Sequence, residues 1–568
     1  VPDEKGKSII SRYEKLRNNA AQHFSRADRM APFIAPSRVG INGKRSPGED
    51  QMAGVYDATS IFAADLLAKY IAGEVINPAQ RWHNWKLRKP KDAPERTEGD
   101  EWTEECNRLA LEARSQSNFY AEAPEMLVDY GAFGTGCMMG DERKAYREDR
   151  GSRKGFRGLR YQATKMGRFV IAEDEEGVVN GVWREYTVSV EAAAARWGKE
   201  NLPADYQRML PEGGNQGDPD KELTVVHCVY PRDKSERGEY KGAKGYPYAS
   251  CWVEKEKRQI LQESGYKRFP FMVPRWEKTP GEVFGRGPGD RAFPDTRTLN
   301  KAKQMGLEDW ALKIRPPILV AHDSVIGNIR IRPGAPTTLR ATGQRTVGDL
   351  MQPFETGSHP EVSQIKEEEL RKSIRQLFFV DQILAMLQVE KSEMTAEEWR
   401  DKFSLLYKIL GSVYGRLQSE FLIPETEMVW ALMYDAGAFP PPPPELAQMG
   451  GEVTIDVEFA NPLALAQEMS DSVAIRRTYQ DAALLALNDP NRLSKIIQNL
   501  DDNYNFRTLA KRNGLPAGGL RSEEDRDKIL DALAQKTAQE NQMAQIAAAS
   551  QMGKNVAPLI GAMNKQAA

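Results

Sequence analysis

Gly285-Arg-Gly-Pro-Gly289 has the composition of a loop that cradles phosphate, where small residues let backbone amides approach an anion. Such a loop needs Gly-x4-Gly-Lys-Ser/Thr. Here the Lys-Ser/Thr pair is missing and Pro288 removes an amide donor, so the stretch reads as a structural turn. Gly134-Thr-Gly136-Cys-Met-Met-Gly140 has the wrong spacing for a dinucleotide fingerprint and follows a helical pattern rather than a strand. Carboxylates cluster at Asp174/Glu175/Glu176, Glu367/Glu368/Glu369 and Asp501/Asp502. Two-metal hydrolysis needs acids converging from separate elements, and consecutive acids read instead as solvated faces. Cys106, Cys137, Cys228 and Cys251 form no CxxC pair. They read as inert thiols of a reducing compartment, with a Cys228–Cys251 disulfide as the alternative. His23, His83, His227, His322 and His359 match no zinc spacing. The residue types therefore predict neither catalysis, metal nor cofactor.

The chain must then be read through its architecture. Its 568 residues exceed one ordinary core, and about three to four domains is the expectation for that length. Apolar residues make up 40% and charged residues 28%, the balance of a soluble globular protein. No apolar run approaches the roughly 18–20 residues of a membrane span, and VPDEKGKSII has no apolar signal core. A net charge of −2 disfavours tight binding of nucleic acid through many phosphate contacts. A surface that DNA slides past has no need of such charge.

Helical periodicity predicts helices over 8–31, closed by Pro32 and Pro36, and over 55–76, with Phe62, Leu66, Leu67, Tyr70 and Ile71 on one face. Two more are expected over 101–119 and 122–133, the last broken by Gly134. The period then changes. Residues 160–187, 223–230 and 249–261 carry β-branched and aromatic runs separated by turn residues, and a short helix is expected over 189–199. Residues 295–315 predict a polar helix stopped by Pro316-Pro317. Its Leu299, Ala302, Met305, Leu307, Trp310, Leu312 and Ile314 share no single face. A helix contacted on two sides by identical neighbours gives this pattern, and so does one buried within a monomer. Short β-like runs follow over 316–358, then a helix over 362–380 striped by Leu370, Ile374, Leu377 and Phe378. Residues 381–394 are ambiguous. Thr395 and Glu398 form a capping box for a long helix interrupted at Pro424. The strand EVTIDVEFA and further helices lead to an Ala/Gln/Met-rich tail, a marginal helix that needs partners.

Six segments in collinear order resemble the podovirus head-to-tail connector, or portal, family. They are IFAADLLAKYIAGEVINPAQRWHNWKL, YAEAPEMLVDYGAFGTGCMMGDE, RWEKTPGEVFGRGPGDRAFPDTRTLN, MTAEEWRDKFSLLYKILGSVYGRLQSEFLIP, NPLALAQEM and RNGLP. None is a catalytic motif. The resemblance implies an α+β, mainly helical phage portal fold assembled as a ring, usually a dodecamer, at one capsid vertex. It implies a wing over 1–290, a first stem helix over 291–315, a clip over 316–358 and a second stem helix over 359–382. A channel loop would follow over 383–395, the wing's long helix and strand over 396–488, and a crown with a C-terminal helical barrel over 489–568.

The resemblance also implies partners: double-stranded DNA passing non-specifically through the channel, the terminase large subunit, tail adaptor and tail proteins, and the major capsid and scaffolding proteins. It implies a place in the virion, at the head-tail junction, after synthesis in the host bacterial cytoplasm. Gln388, Glu390 and Lys391 are then candidates for approaching DNA from the channel loop, with Lys301, Lys313, Lys366 and Lys372 on the stem helices. Those lysines belong either to ion pairs within and between helices or to a mixed-charge channel wall. His322, Arg330, Arg332 and Arg340 are the clip candidates for docking motor and tail. The alternatives are another structural virion protein, such as a tail adaptor or capsid component, or a nucleic-acid-processing enzyme.

Overall fold

A computed structural model of the chain describes residues 4–43, 48–78, 81–87, 98–143, 155–210, 217–233, 242–314, 318–320, 351–353, 360–387, 411, 413–444, 455–459, 475–485, 495, 498–512, 526–533, 535–536 and 538–539. The chain folds as two units, Val1–Asn84 with Cys106–Pro440, and Trp85–Glu105 with Pro441–Ala568.

The first unit opens with two helices where the periodicity predicts one. Helix α1 spans Glu4–Asn19 and α2 spans Ala21–Ile34, with a break at Ala20 for which the local sequence offers no physical reason. Pro32 lies inside α2 rather than ending it, and the helix closes only at Ala35, whose N–H reaches the carbonyl of Ala31. Helix α3 (Thr59–Val75) buries Leu67 and Ile71, but Phe62, expected on the same face, is 54% exposed. Strand β1 (His83–Leu87) leads into the second unit, α4 (Glu98–Ser115) leads back from it, and α5 (Phe119–Phe133) follows. Gly134 ends α5 in the left-handed region at φ 80°, a conformation that glycine adopts without the Cβ penalty.

The β-rich part forms two antiparallel sheets. Strands β2 (Met138–Glu142) and β3 (Leu159–Ala163) join the later β9 (Phe271–Met272) in the order β3-β2-β9. The second sheet is a five-stranded meander of β4 (Phe169–Glu173), β5 (Val179–Ser189), β6 (Glu222–Pro231), β7 (Tyr248–Glu254) and β8 (Ile260–Tyr266). Its inner strands are buried on both faces, so β6 and β7 read as near-continuous apolar runs instead of alternating. Helix α6 (Val190–Trp197) and the single turn α7 (Ala204–Gln207) cover one region, packing Val190, Ala193, Trp197 and Tyr206 against Val225, Trp252 and Leu261. Helix α1 lies against β4 and β7. All four cysteines are buried and none forms a disulfide, and Cys228 faces Cys251 across β6 and β7 without a bond between the sulfurs.

Helix α8 spans Pro288–Ile314, starting seven residues before the predicted 295 and taking Pro294 into its second turn. Strands β10 (Ile318–Val320) and β11 (Met351–Pro353) precede α9 (Pro360–Leu377) and α10 (Val380–Leu387). In α9 the predicted stripe holds, with Ile374 fully buried and Phe378 buried just beyond. Pro424 does not interrupt the later helix. A π-helical turn at Gln418–Leu422 leads without a break into α11 (Ile423–Asp435), and this wider turn takes up the proline at the second position of α11.

In the second unit β12 (Ile455–Phe459) forms a two-stranded sheet with β1. Residues 475–485 and 526–533 are helical, as is α12 (Asp502–Arg512), whose start is capped by Asp501 accepting from the Tyr504 N–H. Leu484, Leu485, Tyr504 and Phe506 are exposed, and so are Leu530 and Leu533 in the tail, where a helix that needs partners was expected.

Candidate functional site

The glycine-rich motif is a packing device. A Cβ built on Gly285 would sit 2.3 Å from the Gly134 carbonyl oxygen, on Gly287 2.8 Å from that of Gly131, and on Gly289 2.1 Å from that of Ala132. Three glycines at alternate positions thus lay the chain directly on the C-terminal carbonyls of α5. The Gly285 N–H donates to Thr135 Oγ1 at 2.8 Å, and the Gly287 N–H donates to Asp290 Oδ2 at 3.0 Å. Asp290 thereby reaches back over the first turn of α8, as the acid of a capping box does, and pairs with Arg26 at 2.6 Å. Pro288 forfeits an N–H that the first turn leaves unpaired anyway.

From this anchor α8 runs for 27 residues, about 40 Å. Asp295 Oδ2 accepts from Ser373 Oγ at 2.7 Å, Lys303 pairs with Glu367 at 3.6 Å, and Ile318 stands opposite Pro353 in the β10–β11 ladder. Partners on the return limb fall as those on the outgoing limb rise, so α8 and α9 form an antiparallel hairpin. Its base is fixed to α3 and the loop before it. Ser60 Oγ and Thr296 Oγ1 share a hydrogen at 2.6 Å, the Tyr56 N–H donates to Asn300 Oδ1 at 2.6 Å, and Arg371 pairs with Asp57 at 2.9 Å. Beyond Asn300 the apolar residues lie open: Met305, Leu307, Leu312 and Ile314 are exposed, and Trp310 is 64% exposed. The mixed-face pattern of this helix does not come from burial within a monomer.

Lys301 and Lys313 lie on α8, and Lys366 and Lys372 on α9. Lys301 donates to Gln304 at 3.1 Å and Lys313 pairs with Asp309 at 3.2 Å, while Lys366 and Lys372 are exposed. At 100° per residue, each helix sets its two lysines roughly 120° apart, so they do not line a single stripe. Glu367 departs from the expectation of a solvated acidic face. It is buried and joined to Arg371 and Lys303, because the hairpin interface needs its charge. Gln388, Glu390 and Lys391 fall outside the described residues, immediately past α10, as do His322, Arg330, Arg332 and Arg340 between β10 and β11.

Sequence reasoning missed the polar pairs that hold the first unit together. Arg114 and Glu425 are both fully buried, 2.8 Å apart and 311 positions apart in the chain. Arg38 pairs with Asp129 at 2.6 Å, also buried. No local motif marks such pairs, since each partner is an ordinary charged residue until the chain folds. Among the described residues no group of three or more His, Cys, Asp or Glu could hold a metal, and no helix is long and apolar enough to cross a membrane.

His23 supplies a pH dependence. Its ring stacks on Phe284 at 4.6 Å and Nδ1 is 2.9 Å from Arg26 Nη2. Burial, reinforced by the Arg26 charge, pushes its pKa down to about 3. The unfolded chain takes up this proton first, so the stabilisation is whole above about pH 6.5 and drains as pH falls. His83, also lowered by burial, acts in the same direction. Urea unfolding between pH 7 and 5 should show stability falling, and His23→Leu should remove up to about 1.4 kcal/mol per pH unit of that slope. An unchanged slope would show that the ring titrates alike in both states.

The chain matches the family model described as bacteriophage head to tail connecting protein over residues 6–520, and it belongs to that family. It is 25% identical over 499 residues to the probable portal protein of Bordetella phage BPP-1, covering 86% of this chain and 84% of that one. It is likewise 23% identical over 558 residues to the portal protein of Salmonella phage epsilon15, covering 96% of this chain and 94% of the relative.

Proposed function

We propose that this chain is a structural portal protein rather than an enzyme. It assembles as a ring, a dodecamer on the family resemblance, at one vertex of a phage head, and double-stranded DNA enters and leaves through the central channel. The observation that carries this reading is the hairpin of α8 and α9. It is fixed at its base, and past Asn300 it presents Met305, Leu307, Trp310, Leu312 and Ile314 to the outside. Monomeric proteins rarely leave such a set uncovered, and identical neighbours around a ring would cover it.

In this reading residues 1–290 form the wing, 291–315 and 359–382 the stem, and 316–358 the clip, where His322, Arg330, Arg332 and Arg340 meet first the terminase motor and then the tail. Residues 383–395 form the channel loop, with Gln388, Glu390 and Lys391 towards DNA. Lys301, Lys313, Lys366 and Lys372 belong to a wall of mixed charge, which lacks the continuous cationic track that would hold a phosphate backbone fast. The wing continues over 396–488, and 489–568 supply crown and barrel. Major capsid and scaffolding proteins are further partners, and the ring itself has its place in the virion.

Negative-stain microscopy with native mass measurement tests the assembly. The purified chain should form rings with a central hole. Trp310→Asp should leave monomers whose melting is nearly unchanged, because an exposed residue contributes within about 0.5 kcal/mol to the fold itself. Rings of normal number and stability from that variant would remove the hairpin face from the interface.

A further inference from the structure

Five arginines are buried among the described residues: Arg38, Arg114, Arg184, Arg232 and Arg275. Four of them meet a carboxylate. Arg38 pairs with Asp129 at 2.6 Å, Arg114 with Glu425 at 2.8 Å, Arg232 with Glu263 at 3.1 Å, and Arg275 with Glu420. Arg184 on β5 meets none. Its Nε donates to His227 Nδ1 at 3.0 Å and its Nη1 donates to Gln162 Oε1 at 2.8 Å, both uncharged acceptors. Its Nη2 makes no hydrogen bond and is not shut off from solvent. Burying a charge is costly unless it is paired, so the position favours an anion.

A second guanidinium stands beside it. Arg196, in the last turn of α6, is exposed and lies 5.6 Å from the centre of the Trp252 ring, and among the described residues it makes no hydrogen bond or ion pair. The Arg184 guanidinium lies 5.9 Å from the Tyr186 ring, and His227 stacks on Trp252 at 4.1 Å. Both charges act on the Tyr186 hydroxyl, so the two guanidiniums flank one aromatic cluster. The ionisable groups that bear on Arg184 most are Tyr186, Cys137, Tyr266 and Arg196, with no carboxylate among them. Burial and the Arg196 charge draw the Arg184 pKa down, whereas carboxylates outweigh the same burial and raise those of Arg38, Arg114 and Arg275. The acids on this side of the meander are engaged elsewhere. Glu254 accepts from the Glu256 and Lys257 N–H groups, and Asp141 accepts from the Tyr266 hydroxyl at 3.0 Å.

We propose that Arg184 and Arg196 together bind a small oxyanion of the phosphate class, on the face of the meander between α6 and β3. One oxygen reaches Arg184 Nη2 and the others meet the open fork of Arg196. Two positive charges with no acid between them match a dianion better than a monocarboxylate, and guanidinium forks fit phosphate geometry. Arg184 is only 6% exposed, so a single small group reaches it and a peptide or nucleic-acid backbone does not.

The test is isothermal titration of the full chain with sodium phosphate, at a pH where it is mostly dianionic, with ionic strength held by sodium chloride. Phosphate should bind once per chain with a Kd of about 1 mM or tighter. Sodium sulfate should bind alike, and sodium acetate about tenfold more weakly or worse. Arg196→Gln should weaken phosphate binding about tenfold or more, the loss expected of a charged hydrogen-bonded pair, and Arg196→Lys should restore part of it. Because Arg196 is exposed and unbonded, its substitution should leave the melting temperature without phosphate unchanged. Phosphate should raise the melting temperature of the parent, and Arg184→Gln should abolish that rise.

No heat up to about 10 mM phosphate, unchanged affinity in Arg196→Gln, or acetate binding as tightly as phosphate would each overturn the proposal. A phosphate-dependent rise in melting that persists in Arg184→Gln would put the anion at another site. Displacement of phosphate by a short DNA duplex would make the site a nucleic-acid contact. Either result overturns the small-ion assignment.

Discussion

Glu425→Ala should destabilise the chain by about 3–5 kcal/mol, the loss expected when one member of a buried ion pair is removed. Glu425 Oε1 accepts from Arg114 Nε at 2.8 Å and Oε2 accepts from Nη2 at 2.9 Å. Tyr161 donates to Oε1 at 2.7 Å, Arg114 Nη1 lies 3.2 Å from His83 Nε2, and the guanidinium sits 5.0 Å from the centre of the Trp82 ring. Neither charged side chain reaches solvent. Burial alone would pull the Arg114 pKa down, but Glu425 outweighs it and raises it. Without Glu425 the guanidinium stays charged and buried, and the carboxylate that accepts two of its hydrogen bonds is gone.

The same argument predicts that the pair contributes far less than its removal costs. Arg114→Met with Glu425→Leu and Tyr161→Phe, which deletes both charges and the hydroxyl that donates to Glu425, should recover more than half of the loss. Urea unfolding of the single and combined variants measures this. A Glu425→Ala midpoint indistinguishable from the parent would mean that water reaches Arg114. The site matters for architecture because the pair joins the end of α4 to the first turn of α11.

How much of this was legible in the sequence follows the range of the forces. The two helices of the hairpin were legible, one from its stop at Pro316-Pro317 and the other from its apolar stripe, but their antiparallel pairing was not. The meander was legible too, from β-branched runs between turn residues. The start of α8 was missed by seven residues. Pro288 stands in the first turn, where a proline loses little, but Pro294 lies in the second turn and forfeits a helical hydrogen bond, so the local sequence marks the helix only after it. The division of α1 from α2 was invisible, since nothing local marks Ala20. Trp310 shows the limit most clearly. Its pattern permitted a buried or a shared helix, and only folding showed that the chain itself leaves it uncovered. The Arg114–Glu425 pair was illegible altogether, because 311 positions separate its members and only tertiary packing brings them together.

Gly289→Ala is the second large effect expected, and Gly306→Ala in the same helix should have the opposite sign. Both glycines lie in α8, and helix propensity alone would favour alanine at each by up to about 1 kcal/mol. At Gly306 the new methyl would find Glu367 Oε1 at 3.7 Å, an ordinary contact, so the substitution should raise the melting temperature. At Gly289 it would find the Ala132 carbonyl oxygen at 2.1 Å and its carbon at 3.0 Å. These are backbone atoms inside α5 that no rotamer change moves aside. Either α8 lifts from α5 or the last turn of α5 opens, at a cost of about 3 kcal/mol or more. Lifting α8 also tilts everything beyond it, so the loss should reach the uncovered face past Asn300. Gly289→Ala should therefore lower both the melting temperature and the yield of rings, whereas Trp310→Asp should lower the yield alone. Thermal melts run beside ring counts separate the two. A Gly289→Ala protein as stable as the parent would show that α8 does not rest on α5 through these glycines, and that Gly285 to Gly289 must be explained by something other than close packing.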